Sequence, residues 1–315
     1  MDFKKFLKLV EIQTKAASMI PFLFGTVYAL FRFQQLNALH FMLMFISLLS
    51  FDMATTAINN YYDYRKAIKK HGYGYEIHNA IVQYNIKPPV VLVVIAILLA
   101  LAVGAGIVLF VHVGWLLLLL GGLSFAVGIL YSFGPIPISR MPLGEIFSGL
   151  FMGFVIIFIS AYIHVGDQFA SLTMADGAVT LQVQLAEVIL VFLISIPAII
   201  GIANIMLANN ICDMEDDIEN KRYTLPVYIG RANAIALFKM LYYAAYLDLI
   251  VLCILRVHPL IVLLILLTFI PVRKNIKRFA EQPTKQFTFG LAVQNFMLTN
   301  AARIAALGIA ALLLL

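Results

Sequence analysis

The sequence predicts an all-α, polytopic membrane protein with nine transmembrane helices and a cytoplasmic N-terminus, and three observations carry that reading. Of the 315 residues, 63% are apolar or aromatic and 12% are charged, against roughly 45–50% and about 25% in a soluble domain. Mean hydropathy is +0.96, so a water-soluble globule is excluded. The apolar runs are about twenty residues long, the length that crosses hydrocarbon as a helix, whereas a β-barrel would alternate over segments of about ten. Lys and Arg, finally, concentrate on alternate loops, as cytoplasmic loops do.

Taken in chain order, the first ten residues carry Lys4, Lys5 and Lys8 but no small-residue cleavage site behind a short apolar core. They read as an interfacial segment rather than a removed signal peptide. Nine apolar segments follow, at 16–34, 38–60, 89–111, 113–131, 143–164, 185–208, 233–255, 258–272 and 289–314. The third and fourth are joined so tightly, across His112 to Gly114, that a helical hairpin is expected. The eighth is short and bounded by Pro259 and Pro271. With the N-terminus inside, eighteen Lys and Arg fall on inner segments, in clusters such as Arg65, Lys66, Lys69 and Lys70 or Arg273, Lys274, Lys277 and Arg278. Only Arg32 and Arg256 fall on outer ones. The net charge of +6 is this inner-face signature, which anionic lipid reinforces; it needs no nucleic acid as partner. Two cysteines, Cys212 and Cys253, and six scattered histidines offer neither a disulfide framework nor a zinc site.

The polar residues are less evenly spread. Asn-Asn-x-x-Asp occurs twice, at Asn59 to Asp63 and at Asn209 to Asp213, each where an even-numbered span reaches the inner face. The second copy opens an acidic run of Asp213, Glu215, Asp216, Asp217 and Glu219. Asn59 with Asp63, and Asp213 with Asp217, are i, i+4 neighbours that share a helix face. Asp52, Thr56, Asn59 and Asp63 continue the first of these as a polar stripe, and ionisable residues at membrane depth line a cavity or a functional path by default. Crowded carboxylates need a cation between them. Oxygen ligands without Cys or His suit magnesium, which is usually held by one or two carboxylates plus substrate phosphates. Two such faces read as magnesium sites clamping one diphosphate, with Arg65, Lys66, Lys69, Lys221 and Arg222 as nearby cations. The plain alternative is a solvated acidic loop.

The pairing of Asn59 and Asp63 with Asp213 and Asp217 resembles the two Asp-rich motifs of the UbiA superfamily of intramembrane prenyltransferases. The tail Lys221-Arg222-Tyr223-Thr224-Leu225-Pro226-Val227 resembles the menaquinone branch, the 1,4-dihydroxy-2-naphthoate polyprenyltransferases. So do Tyr131-Ser132-Phe133-Gly134-Pro135-Ile136-Pro137, Leu143-Gly144-Glu145 and the stretch from Ile20-Pro21 to Gly25. The first motif departs from the family's usual form: Asn60 stands where Asp is common, and Ala67 and Lys69 where a further acid is often found. An Asn60→Asp change is expected to be tolerated if position 60 is a ligand position.

The resemblance covers nearly the whole chain. It implies one transmembrane prenyltransferase domain over 1–315, its nine helices arranged around a central cavity, in the cell membrane with the site facing the cytoplasm. The implied reaction moves a polyprenyl group from its diphosphate to a ring carbon of an aromatic acceptor. That acceptor is 1,4-dihydroxy-2-naphthoate in menaquinone or demethylmenaquinone biosynthesis, with 4-hydroxybenzoate or another quinone precursor as the alternative. Asp63, Asp213, Asp217 and Tyr131 are the implied catalytic residues, and Asn59, Asp63, Asp213 and Asp217 the implied Mg2+ ligands. Asn59, Lys15, Arg65, Ser132, Asn210, Lys221 and Arg222 would bind diphosphate or acceptor. Lys15 reads equally as a snorkelling lysine. Tyr131 could stabilise positive charge on the allyl fragment, and Glu145, Asp216 or a phosphate oxygen could each take the acceptor's proton. An ion-coupled transporter is the alternative of a different class, opposed by the clustering of acids at one membrane face instead of the midplane.

Overall fold

In hydrocarbon every backbone polar group must find its partner within the protein, and this chain satisfies the requirement almost entirely with helices. The computed structural model describes residues 2–66, 79–132, 138–175 and 177–314. Ala67, Lys69, Lys70 and the loop positions 133–137 lie outside the described residues, as do the side chains of Lys66 and Ser132. Among the described residues, eight helices are long and apolar enough to cross a membrane: Ile12–Phe33, Ala38–Arg65, Pro88–Val113, Gly144–Gln168, Leu185–Cys212, Arg231–Ile254, Pro259–Glu281 and Phe289–Leu313. Trp115–Tyr131 is a shorter apolar helix.

These elements fall on the expected segments, with one extension and one addition. The eighth segment does not stop at 272. Helices Pro259–Leu266 and Phe269–Glu281 follow one another, because Pro271 sits in the first turn of the second, where a missing N–H is harmless. Past it, Val272, Asn275, Ile276 and Phe279 are buried while Arg273, Lys274, Lys277 and Arg278 stay exposed, an amphipathic stripe with no apolar run to announce it. The addition is an antiparallel hairpin of strands Ala170–Ala175 and Ala178–Val183, turned at Gly177 with φ of +76°. Its register pairs Leu172 with Leu181 and Met174 with Val179 on one face, and Ser171 with Gln182 and Thr173 with Thr180 on the other.

The chain divides into two compact units. The first comprises Met1–Met19 and Ala38–Gly114. Asp2 caps the helix Phe3–Leu9 by accepting from the Lys5 amide at 2.8 Å. Helices Ala38–Lys66 and Pro88–Val113 run antiparallel, fixed by Ser47 Oγ donating to the Ala102 carbonyl at 2.8 Å and by the His40 and His112 rings 5.8 Å apart. The second helix ends at Gly114, whose φ of +108° is a conformation that glycine alone adopts without strain.

The second unit, Ile20–Asn37 with Trp115–Leu315, is built on the helix Leu185–Cys212, which packs against Gly144–Ser148, the π-helical stretch Gly149–Val155 and Phe289–Leu314. Two glycines set the closest of these approaches. A Cβ on Gly153 would lie 2.6 Å from the Ile199 backbone, and one on Gly149 2.8 Å from the Ile199 carbonyl oxygen and 3.3 Å from Ala203 Cβ. Small residues four apart let two membrane helices meet backbone to backbone, and the antiparallel register carries on to bring Glu145 beside Asn210. Deeper in this unit Arg303 and Asp248, both fully buried, form a two-pronged ion pair with contacts of 2.6 Å.

Candidate active site

Each unit holds one of the two sequence motifs. In the first unit Lys15, 3% exposed, is neither lipid-facing nor free. Its ammonium donates to Asp52 Oδ1 at 2.8 Å, to the Asp52 carbonyl at 3.1 Å and to Thr56 Oγ1 at 2.6 Å, so all three of its hydrogens are used. Ser18 Oγ takes the other Asp52 oxygen at 2.5 Å. The expected polar stripe is therefore real over Asp52 and Thr56, but this part of it is closed by Lys15 and Ser18. Lys15 thus holds Asp52 and Thr56 within the first unit.

One turn on, Asn59 is half-buried and Asp63 and Arg65 are exposed near the end of Ala38–Lys66. Asn60 turns the other way. It is 7% exposed, donates from Nδ2 to the Leu9 carbonyl at 3.0 Å and to Glu11 Oε1 at 3.3 Å, and accepts at its own carbonyl from Asn79 Nδ2 at 2.8 Å. It ties the N-terminal helix and residue 79 to the long helix. The departure from the family pattern at this position thus has a structural use that the sequence-based expectation did not contain.

In the second unit the acidic run separates into solvated and held members. Glu215, Asp216 and Glu219 are exposed, and Glu215 pairs with Arg231 at 2.6 Å. Asp213 closes the helix Leu185–Cys212, its amide donating to the Asn209 carbonyl at 3.0 Å. Its carboxylate receives Lys285 Nζ at 2.5 Å and Asn209 Nδ2 at 3.2 Å, and the same ammonium donates to Asn209 Oδ1. Asp217 lies one turn further, in the helix Met214–Glu219, and is 3% exposed.

The residues after Asp217 explain themselves through it. Lys221 adopts a left-handed conformation with φ of +54°, uncommon for a residue with a side chain. It reverses the chain so that the Arg222 amide donates to the Asp217 carbonyl at 2.8 Å, Arg222 Nε stands 3.4 Å from Asp217 Oδ1, and Thr224 Oγ1 donates to Oδ2 at 3.1 Å. Thr224 then precedes the helix Leu225–Ile229, with Pro226 in its first turn. Burial pushes the Asp217 carboxyl above the usual carboxylate range and Asp213 adds to the push, while Arg222, Thr224 and Lys285 pull it back.

A third group lies beside this one. Asn210, 1% exposed, donates from Nδ2 to Glu145 Oε1 at 2.8 Å, and Glu145 is 5% exposed. The Tyr131 hydroxyl is 3.5 Å from where a Cβ on Gly144 would lie, and Arg222 Nη2 donates to the Ser139 carbonyl at 3.4 Å. Of the expected site residues, Tyr131, Asn210, Asp213, Asp217, Lys221 and Arg222 thus belong to the second unit, and Lys15, Asn59, Asp63 and Arg65 to the first. The side chain of Ser132 lies outside the described residues. Lys285 and Thr224 were not foreseen: Lys285 is 72 residues from Asp213, and no local pattern connects them.

The donor set of the second unit is oxygen only, which fits a hard divalent cation. Among the described residues no three of His, Cys, Asp and Glu lie close enough to hold a metal on their own. Magnesium is usually held by one or two carboxylates, with water and substrate phosphate completing its shell. Lys285, seated on Asp213 and Asn209, shows that this corner already accommodates a positive charge.

Membrane-length helices, with an Asn/Asp motif at a helix end in each unit, are what the comparisons with known proteins then explain. The chain belongs to the UbiA prenyltransferase family, which it matches over residues 18–298. It is similar to the 1,4-dihydroxy-2-naphthoate octaprenyltransferase of Bacillus subtilis (strain 168), 33% identical over 239 residues that cover 76% of this chain and 70% of the relative. In fold it is similar to a UbiA homolog from Archaeoglobus fulgidus bound to GPP and Mg2+, with a TM-score of 0.66 at 16% identity over 97% of this chain and 99% of that one. A UbiA homolog from Aeropyrum pernix K1 in its apo form gives a TM-score of 0.66 at 19% identity, over 91% and 97% of the two chains.

Proposed function

We propose that this protein transfers a polyprenyl group from its diphosphate to a ring carbon of 1,4-dihydroxy-2-naphthoate, in menaquinone or demethylmenaquinone biosynthesis. The observation that carries the proposal is the pair Asp213 and Asp217, set one turn apart with Lys285 and Arg222 against them. Together they form an oxygen-and-cation surface suited to a metal-bound diphosphate. The naphthoate relative supports the choice of acceptor, and the Mg2+ in the Archaeoglobus homolog supports the choice of metal.

The difficult event is cleavage of the allylic carbon–oxygen bond, in which negative charge grows on the departing diphosphate. In the second unit Asp213 and Asp217 would hold Mg2+, which would neutralise that charge when bound, and in the first unit Asn59 and Asp63 are the corresponding proposed ligands. Arg222, already oriented by Asp217 and the Ser139 carbonyl, adds fixed positive charge beside it, and Lys221 adds a further cation. Tyr131 offers an aromatic face to the allyl fragment. The acceptor attacks through a ring carbon made electron-rich by its hydroxyls, and the polyprenyl tail runs among the apolar helices. In this reading both units form one catalytic domain in the cell membrane, Trp115–Tyr131 is the ninth crossing, and the site faces the cytoplasm.

The test is a product assay on detergent-purified protein. It receives a medium-length polyprenyl diphosphate and a pool of aromatic acids containing 1,4-dihydroxy-2-naphthoate, with magnesium or with EDTA, and is read by mass spectrometry. A prenylated naphthoquinol formed only with magnesium is the expected result. Prenylated 4-hydroxybenzoate alone would move the acceptor. No donor consumed by folded protein would overturn the proposal.

A further inference from the structure

Beside the acidic pair, four buried polar atoms have no hydrogen-bond partner: Arg222 Nε, which stands 3.4 Å from Asp217 Oδ1 as an ion pair, and Glu145 Oε2, Asn210 Oδ1 and the Tyr131 hydroxyl. Buried polar groups are almost always paired, so each exception calls for an explanation. Here the exceptions are neighbours. The bond from Asn210 Nδ2 to Glu145 Oε1 uses one atom of each side chain and leaves Oδ1 and Oε2 on either side of it. The Tyr131 hydroxyl closes against Gly144, the residue before Glu145. Glu145 and Asn210 are 5% and 1% exposed, so neither reaches bulk water. Both stand on elements held by the Gly149 and Gly153 contacts with Ile199 and Ala203, which leave them little freedom to turn elsewhere.

The chemistry of the cluster selects its ligand. The two orphaned acceptors call for hydroxyl donors, and the phenol can donate or accept beside them. Asn210 is also three residues from Asp213, so a molecule held here lies beside the diphosphate corner. We infer that Glu145 and Asn210 are the acceptor-recognition pair: Glu145 Oε2 and Asn210 Oδ1 accept hydrogen bonds from ring hydroxyls of an aromatic diol, and the Tyr131 hydroxyl completes the set. The inference rests on the prenyl-transfer reading for the identity of that diol.

The experiment uses the purified full chain with 1,4-dihydroxy-2-naphthoate and its two monomethyl ethers as acceptors, comparing wild type with Glu145→Gln and Asn210→Ala. A site built to pair with a hydroxyl rejects an analogue that cannot donate. Wild type is expected to prefer the diol over at least one ether by about tenfold or more. In both variants that preference should collapse towards unity, with the KM for the diol raised about tenfold and the KM for the prenyl diphosphate unchanged. A preference that survives in both variants overturns the inference, as does an equal loss on diol and ether, which would mean a packing role. If wild type prenylates no aromatic acceptor, the prenyl-transfer reading has failed first. Calorimetric titration of 1,4-dihydroxy-2-naphthoate then tests the site alone, weaker binding to Glu145→Gln supporting it and equal binding overturning it.

Discussion

Asp213 and Asp217 are one helical turn apart, yet their surroundings differ. Asp213 shares an accessible cation with Asn209, whereas Asp217 is buried under Arg222 and Thr224. Asp213→Asn and Asp217→Asn are each expected to lower kcat by about 10²-fold or more with an unchanged helical circular dichroism spectrum; full activity in both would remove the site. Thr224→Val is a finer probe, because the Thr224 hydroxyl opposes the rise that burial imposes on the Asp217 carboxyl. Without that hydroxyl the carboxyl rises further, so the ionised form is lost at a higher pH on acidification. The acid limb of kcat/KM should therefore move to higher pH in Thr224→Val. Asn60 shows where reading residues one at a time stops working. Adjacent positions on a helix point about 100° apart, and nothing local says which of two asparagines faces inward. Because Asn60 Nδ2 supplies a proton to the Leu9 carbonyl and sits beside Glu11, Asn60→Asp should cost about 2–3 kcal/mol, seen as a lower melting temperature, rather than pass unnoticed.

Elements were legible in proportion to how strongly the bilayer dictates them. Membrane thickness sets the length of an apolar run, which is why the spans at 38–60, 185–208 and 289–314 reappear as helices. The half of Pro259–Glu281 beyond Pro271 was missed because its apolar stripe is diluted by four exposed cations. The hairpin did carry a signal: Ala-Ser-Leu-Thr-Met-Ala and Ala-Val-Thr-Leu-Gln-Val alternate with the period of a strand, but between two long spans the stretch passes for a loop. The glycine contacts between Gly149–Val155 and Leu185–Cys212 were invisible, since Gly149 and Gly153 are two of nineteen glycines. Gly153→Val should force these helices apart at a cost of about 1–3 kcal/mol, whereas Gly290→Ala, whose added carbon meets nothing within 4 Å beyond its own helix backbone and chain neighbours, should melt as wild type does.

For the whole molecule, the motifs were readable because each repeats a pattern at a helix end, but their partners come from distant sequence. Lys285 meets Asp213, and Glu145 meets Asn210 across 65 residues. The number of crossings has a direct consequence for the termini. With Trp115–Tyr131 as a ninth crossing, an N-terminal and a C-terminal tag are expected on opposite sides of the membrane. Protease protection of both tags on the same side would mean that this helix does not cross.

The buried pair of Arg303 and Asp248 bears on how such a protein is made. Asp248 enters the bilayer 55 residues before its counter-ion has been synthesised, and an unpaired carboxylate at that depth is expensive. A nascent chain that stops short of Arg303 carries an uncompensated charge in its seventh apolar segment, however well the earlier helices have packed. The helix that carries Arg303 thus works as a latch: it neutralises a charge left open since the seventh segment was made.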